Sequence, residues 1–256
     1  MSKKIILLAG PTASGKSKLA IHLAKKLNGE IINADSMQIY KEFSVLSSRP
    51  KKFETKKIRH HLYGIVSVKK YFSAGDWLKE VKKRVKNCLK RRKIPIIVGG
   101  TGLYFNTITK GISKIPDIDT KIRNKVRNSF KKFGPKKFYE KLLVLDPKVK
   151  NRINPNDSQR IQRAYEVKLK TKKSIYDWFS KTKSDFLGFN LIKVFIDIPR
   201  ADLLKKISKR TDLMFQENCL AEVKKFNKLS LNRNLSANKL IGVQEINKFL
   251  KGSIQL

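Results

Sequence analysis

Eight consecutive residues, Gly10-Pro11-Thr12-Ala13-Ser14-Gly15-Lys16-Ser17, have the spacing G-x-x-x-x-G-K-S. That spacing suits a phosphate-binding loop: the glycines let the backbone turn its N–H groups inward, Lys16 adds a point charge and the Ser17 hydroxyl can face Mg²⁺. The flanks agree. Lys3 to Ala9 is a short apolar run that reads as a buried strand, and Leu19, Ala20, Leu23, Ala24 and Leu27 recur at helical spacing after it. Strand, loop and helix N-terminus together make a site for a di- or triphosphate, a context that a chance match in a small-residue turn would lack. The loop alone does not specify the ester it holds. A second candidate group follows: Glu30 to Asn33 reads as another short strand, and Ala34-Asp35-Ser36-Met37-Gln38-Ile39-Tyr40 leaves it. In an open parallel sheet ligands sit beyond the carboxyl ends of the strands, which brings Asp35 and Gln38 to the rim that carries Gly10–Ser17. A helix N-cap is the structural alternative for Asp35.

These groups need a sheet and helices to hold them. The helix entered at Ser73-Ala74-Gly75-Asp76 has an apolar face of Trp77, Leu78, Val81, Val85 and Leu89. Lys93 to Val98 reads as a buried strand ending in Gly99-Gly100-Thr101-Gly102-Leu103-Tyr104, a run that implies tight turning or close approach to a ligand. No acid follows that strand to hold Mg²⁺, as a nucleotide kinase would often require. Lys41 to Lys57 reads as a polar loop. His60-His61 suggest a metal only weakly, because no acidic or sulfur partner is adjacent, and a structural role is favoured. From Ile112 to Leu187 strand signals stop and Lys/Arg-rich helical runs take over, broken at Gly134-Pro135, Asp146-Pro147 and Asn154-Pro155. We expect an α/β core formed by residues 1–111 and 188–256, with residues 112–187 as an inserted helical subdomain. Leu191 to Ile198 returns to a strand. Pro199 then starts a long helix whose core face is expected at Leu203, Leu204, Ile207, Leu213 and Met214, with Arg210 either reaching the phosphate site or lying on the surface. A last helix is expected over 238–250.

Charge narrows the partners. The 256-residue chain has 59 Lys plus Arg against 20 Asp plus Glu, a net +39. An AT-rich genome inflates lysine, but it should raise glutamate too, and acids are few. So positive a field favours a polyanion, most simply nucleic acid. On the insert, Asn156 or Asp157 can cap a helix carrying Gln159, Arg160, Ile161, Gln162 and Arg163, where two guanidiniums and an amide suit phosphate or base-edge contact. Arg123 and Arg127 are a similar case on an earlier helix. The alternative is a solvated face pairing with Glu166. Cys88 and Cys219 lie far apart with no C-x-x-C, and the N-terminal apolar run is too short for a signal peptide or a membrane span. A cytoplasmic protein, with no zinc and no membrane partner, is the expectation.

Six blocks together point to a family: Gly-Pro-Thr-Ala-Ser-Gly-Lys-Ser at 10–17, Ala-Asp-Ser-Met-Gln-Ile-Tyr at 34–40, His-His-Leu at 60–62, Tyr-Phe-Ser-Ala-Gly-Asp at 71–76, Gly-Gly-Thr-Gly-Leu-Tyr at 99–104 and Arg-Ile-Asn-Pro-Asn-Asp-Ser-Gln-Arg-Ile-Gln-Arg-Ala-Tyr-Glu-Val at 152–167. The set closely resembles tRNA dimethylallyltransferases, also called tRNA isopentenyltransferases, and the likeness continues through Asp197-Ile-Pro-Arg and Arg210-Thr-Asp-Leu-Met. The resemblance implies a P-loop NTPase-like parallel-sheet core with a helical insert that grips the anticodon stem-loop of tRNA. It implies transfer of a dimethylallyl group from dimethylallyl diphosphate to N6 of the adenine 3′ of the anticodon, assisted by Mg²⁺, on a monomer. By motif match, Thr12 to Ser17 would hold the diphosphate and Asp35 would be the base. Ser36, Met37 and Gln38 would line the adenine pocket, Thr101 would contact the target nucleotide, and Arg123 with Gln159 to Arg163 would contact tRNA. Two local departures stand out. After Tyr40 the chain reads Lys-Glu-Phe-Ser-Val-Leu-Ser-Ser-Arg-Pro where the family has a Gly-Thr pair, and Asn218-Cys219-Leu220 lacks the family's usual Gly. Family members also commonly continue into a further basic helix past the point where this sequence ends, so part of the tRNA grip is expected to be missing or replaced. A P-loop kinase using ATP, and an RNA-binding protein with an inactive loop, are the competing readings.

Overall fold

The computed structural model of the chain describes residues 3–229, 231 and 235–255. It divides into two compact units, residues 1–108 with 188–256, and residues 109–187. The first break falls three residues earlier than the expected boundary after residue 111; the second coincides with the expected one after residue 187. Leu256, where the sequence ends, lies outside the described residues.

The larger unit is built on five parallel strands: β1 (Lys4–Ala9), β2 (Gly29–Asn33), β3 (His60–His61), β4 (Ile94–Gly99) and β5 (Asn190–Phe195), in the order β3-β2-β4-β1-β5. Ile5 to Leu8, Ile31, Ile32 and Ile96 to Val98 are buried, the continuous apolar runs of a parallel sheet covered on both faces. Helix α1 (Lys16–Lys26) follows β1 and buries Ala20 and Ala24 against the sheet; small residues allow a close approach there. A single turn, α2 (Lys52–Thr55), interrupts the long loop after β2. That loop is less polar than it reads, since Phe43 is fully buried and Leu46 nearly so.

Helix α3 (Ala74–Lys90) starts with a capping box: Ser73 Oγ accepts from Asp76 N at 3.1 Å, and Asp76 Oδ2 accepts from Ser73 N at 2.9 Å. Its buried face is Trp77, Leu78, Val81, Val85 and Cys88, with Cys88 rather than Leu89 completing the stripe. Helix α4 (Gly102–Thr109) leaves β4. Helix α8 (Arg200–Gln216) corrects the expected core face: none of its residues is buried. Leu203, Ile207, Arg210 and Met214 are half-buried at 4-3-4 spacing, while Leu204 and Leu213 are exposed. The inward stripe of α8 therefore carries Arg210. Helices α9 (Cys219–Asn227) and α10 (Val243–Leu250) complete the unit; the expected last helix begins five residues late, after a 3₁₀ turn at Ser236–Lys239.

The smaller unit consists of α5 (Thr120–Leu145), a 3₁₀ turn (Pro147–Val149), α6 (Ser158–Thr171) and α7 (Ile175–Phe179). Its core includes Val126, Phe138, Leu142, Ile161, Ala164 and Val167. Helix α5 kinks at Gly134, whose φ 72° and ψ 170° leave the helical region just before Pro135, a residue that lacks the N–H an unbroken helix would use.

Candidate active site and RNA-facing insert

The phosphate loop connects β1 to α1. Gly15, at φ 86°, caps α1 in the left-handed region, where a side chain would be strained. Lys16 folds back so that its Nζ donates to Pro11 O at 2.5 Å. The buried Ser14 Oγ has no hydrogen-bond partner among the described residues. A buried hydroxyl without a partner in the phosphate loop is a group that an anion bound there could satisfy. Burial pulls the Lys16 ammonium below its ordinary range. The Asp35 carboxylate opposes that shift and the Arg210 guanidinium adds to it.

Asp35 is placed by its neighbours. Asn33, at the end of β2 and fully buried, accepts from Asp35 N through Oδ1 at 2.8 Å, and its Nδ2 donates to Asp35 O at 2.9 Å and to Leu62 O at 3.1 Å. Trp77 Nε1 donates to Asn33 O at 2.9 Å, and the Trp77 ring stacks on Tyr104 with centroids 4.0 Å apart. One carboxylate oxygen, Asp35 Oδ1, accepts from Met37 N at 2.9 Å, so a local turn does use Asp35, but no helix starts there. The other, Oδ2, has no hydrogen-bond partner among the described residues. A Cβ placed on Gly100 would lie 3.8 Å from Gly10 O and 3.9 Å from Asp35 Oδ2. The first residue of the phosphate loop and the available carboxylate oxygen thus flank the same glycine at the carboxyl rim of the sheet. Gly99 is equally constrained, since a Cβ there would meet the Ala34 carbonyl at 2.1 Å. Thr101 ties the two rim loops together: its Oγ1 accepts from Ser36 N at 2.9 Å and donates to Ser36 Oγ at 3.3 Å.

Arg210 belongs to this group, although sequence left it between two roles. Its Nε donates to Ser48 Oγ at 2.7 Å, and burial lowers its pKa against the opposing pull of Asp35. Ser48 belongs to the loop that departs from the family pattern. Gln38 Nε2 braces the same loop, donating to Ser47 O at 2.9 Å and Ser48 O at 3.0 Å, which leaves its side-chain oxygen as the group available to a ligand. The Glu222 carboxylate on α9 anchors the loop's start by accepting from Ser44 N, Val45 N and Leu46 N at 2.6, 2.9 and 2.9 Å. In the segment Asn218-Cys219-Leu220 that lacks the family's usual glycine, Asn218 has φ 64° and caps α9, its side chain accepting from Ala221 N. Asparagine is among the few residues that occupy the left-handed region readily.

The histidine pair has partners after all. His61 Nε2 lies 2.6 Å from Glu30 Oε2, Arg91 Nη2 donates to the same oxygen at 2.7 Å, and Cys88 Sγ is 3.4 Å away. Glu30, His61 and Cys88 offer atoms within 4.8 Å of one another, a set that could hold a metal, but the Arg91 guanidinium already supplies the positive charge. Burial works to raise the Glu30 carboxyl, and the bonds from His61, Arg91 and Cys88 outweigh it, leaving it below its ordinary value. The Cys88 thiol is pushed up to about 12, mainly by burial. The knot joins β2, β3 and α3 and is structural.

On the insert, Ile161 corrects its expected role. It is fully buried in that unit's core and presents no side chain to a ligand outside. The others stay at or near the surface. Gln159 and Arg160 are exposed, and Arg160 Nη1 pairs with Asp157 Oδ2 at 2.8 Å, while Asp157 Oδ1 caps α6 by accepting from Arg160 N. Arg163, half-buried, pairs with Glu166 at 3.5 Å, and Glu166 is itself buried, so the pair ties the helix to its unit rather than lying on a fully solvated face. Gln162 Nε2 donates to Ser158 O, and Arg123, half-buried, has a buried Nε without a partner among the described residues.

A parallel α/β sheet with a glycine phosphate loop, a carboxylate and an arginine on one rim, interrupted by a basic helical insert, defines a P-loop-type transferase. The sequence model of the IPP transferase family matches residues 38–256, and the chain belongs to that family. It is 53% identical over 253 residues to the tRNA dimethylallyltransferase of Pelagibacter ubique, covering 99% of this chain and 81% of the relative. To that of Rickettsia felis it is 41% identical over 255 residues, covering 99% and 82%. Among solved structures, the tRNA isopentenylpyrophosphate transferase of Bacillus halodurans superposes with a TM-score of 0.67 at 30% identity, covering 99% of this chain and 79% of that one. A eukaryotic dimethylallyltransferase acting on tRNA superposes with 0.84 at 28%, covering 98% and 64%. Among the described residues, no helix is long and apolar enough to cross a membrane.

Proposed function

We propose that this chain transfers the dimethylallyl group of dimethylallyl diphosphate to N6 of the adenine next to the anticodon in tRNA, releasing diphosphate. The observation that carries the reading is the shared rim: Asp35 Oδ2 and Gly10 O flank Gly100, and the charges of Lys16, Asp35 and Arg210 act on one another. The adenine amine is a poor nucleophile because its lone pair is delocalised. As N6 bonds to the allylic carbon, the carbon–oxygen bond to diphosphate breaks and Asp35 takes the N6 proton. Lys16, Arg210 and the loop N–H groups meet the charge that develops on the departing diphosphate. Ser14, whose hydroxyl has no hydrogen-bond partner among the described residues, gains one when the diphosphate enters.

Mg²⁺ fits Ser17. The side chain is exposed at the first turn of α1 and makes no hydrogen bond among the described residues, and Mg²⁺ typically takes few protein ligands, completing its shell with phosphate oxygens and water. Bound there, the ion would neutralise diphosphate charge. On this reading Ser36 to Gln38 and Thr101 shape the adenine pocket, and the insert's Arg123, Gln159, Arg160, Gln162 and Arg163 hold the RNA. The reaction takes place in the cytoplasm on a monomer. The relatives' names do not favour the kinase alternative.

The test is incubation with unmodified tRNA, dimethylallyl diphosphate and Mg²⁺, followed by mass analysis of the nucleosides. One dimethylallyl unit gained on adenosine is the expected result. Phosphate release from ATP without prenylation would assign the loop to a kinase.

A further inference from the structure

The kink in α5 leaves a groove on the insert that none of the roles above uses. It has a volume of about 780 Å³, within the size range of small-ligand sites, and a second hollow of about 360 Å³ adjoins it around Gly134–Pro135. Phe133 and Tyr165 form its aromatic part, and Val144 and Leu145 extend the apolar floor. Val144 is 86% exposed, unusual for a valine in a helix that packs on a core. Beneath it the rings are braced: Phe138, fully buried, lies 4.7 Å from Tyr165 and 5.3 Å from Phe130 between centroids. The rim is cationic. Lys141 Nζ stands 3.5 Å from the centroid of the Phe133 ring, Lys132 Nζ stands 5.8 Å from it, and Lys136 and Lys137 line the hollows. Among the described residues none of these four lysines is in an ion pair. The one acid at the groove is Glu140.

An aromatic face beside unpaired lysines is the chemistry of a stacking platform for single-stranded nucleic acid. We propose that this groove takes one unstacked nucleotide of RNA, the base on Phe133 and the phosphates on Lys137 and Lys141, with Lys141 moving off the ring as the base arrives. Glu140 can accept from the exocyclic amine of an adenine or a cytosine, which would bias the groove toward those bases. The proposal rests on the RNA-substrate reading, yet concerns a contact distinct from the adenine that reacts.

The probe is a ten-residue oligoadenylate, read by fluorescence anisotropy across a salt series, beside a ten-residue polyglutamate. Phe133→Ala should weaken oligoadenylate binding about 5- to 150-fold, Phe133→Leu should lose most of the same affinity while keeping the apolar bulk, and Phe133→Trp should restore it. The salt slope should be unchanged in all three, whereas Lys141→Ala should lower it by about one. Thermal unfolding of each variant identifies any loss of fold, and the leucine and tryptophan variants carry the test if the alanine variant is unstable. Oligoadenylate affinity within twofold of wild type in Phe133→Leu would overturn the proposal, as would failure of the wild-type chain to bind the oligonucleotide. Polyglutamate bound as tightly as RNA, with equal dependence on Phe133, would reassign the groove to an acidic protein and overturn it too. Prenylation of tRNA by the wild-type chain, measured separately, distinguishes this failure from failure of the proposed reaction.

Discussion

Asn33→Ala should separate the positioning of Asp35 from the bulk stability of the sheet. The wild-type amide makes three hydrogen bonds, accepting from Asp35 N and donating to Asp35 O and Leu62 O. Leu62 is buried, whereas Asp35 is half-buried and its backbone can recruit water. At about 1–3 kcal/mol for Leu62 O left unpaired, and about 1 kcal/mol together for the half-buried Asp35 N–H and C=O, the loss is about 2–4 kcal/mol. For a unit of this size that lowers Tm by roughly 5–15 °C. The kinetic effect should be larger than stability alone would give. The carboxylate sits on a short turn whose root is that amide, and a shift of about 1 Å can cost roughly 100-fold in turnover. The assay is single-turnover prenyl transfer per folded molecule at a temperature well below the transition, compared with Val85→Ala. Val85 is buried on α3, so its truncation should cost about 2 kcal/mol without touching the Asp35 turn. Turnover of Asn33→Ala within threefold of wild type, alongside the expected loss of Tm, would refute the claim that Asn33 positions the base.

The Glu30 knot predicts acid sensitivity. Glu30 sits below its ordinary carboxyl value, so its contribution is present above about pH 4.5 and is lost as pH falls through the lower folded value; His61 is also lowered, chiefly by burial, so its share is lost as pH falls below 6.5. Both act in the same direction. Glu30→Gln should therefore flatten the fall of Tm below about pH 4.5, where the carboxylate's share is lost, and an unchanged profile there would remove the knot from the acid response. Asn218→Ala should cost about 1–2 kcal/mol in chemical denaturation, combining a lost cap with a left-handed backbone that alanine resists, whereas Asn218→Gly should be nearly neutral. Equal losses in the two variants would argue that the side-chain bond alone matters.

Contiguous features were legible in sequence and dispersed ones were not. The phosphate loop declares itself because its eight residues and both flanks are consecutive, and Asp35 because it leaves a strand that must end on the same rim. The Ser73–Asp76 cap reads equally well, since both partners lie within one turn. Arg210 could not be assigned: it reaches the site only because α8 turns one half-buried stripe inward, and apolar spacing alone also allowed Leu204 and Leu213, which are exposed. The partners of His61 were hidden for the same reason. Glu30 and Cys88 lie on different elements that only the order β3-β2-β4 and the packing of α3 bring together. Ile161 was misassigned because a motif block names neighbours without saying which of them faces inward. Asn218 lies where the sequence lacks the family's usual glycine, and its left-handed φ of 64° was not legible from the residue type alone.

Lys16 and Asp35 should serve opposite ends of one bond exchange, and a double-mutant cycle measures that directly. Single-turnover prenyl transfer would be followed for Lys16→Ala, Asp35→Ala and the double variant at saturating tRNA. Loss of Asp35 should slow transfer by roughly 10²–10⁴-fold and loss of Lys16 by roughly 10²–10³-fold, with tRNA affinity little changed in either. Groups that act as a unit are strongly non-additive, so the double variant should fall well short of the product of the two losses. Losses that simply multiply, or an Asp35→Ala enzyme that transfers at the wild-type rate, would contradict it.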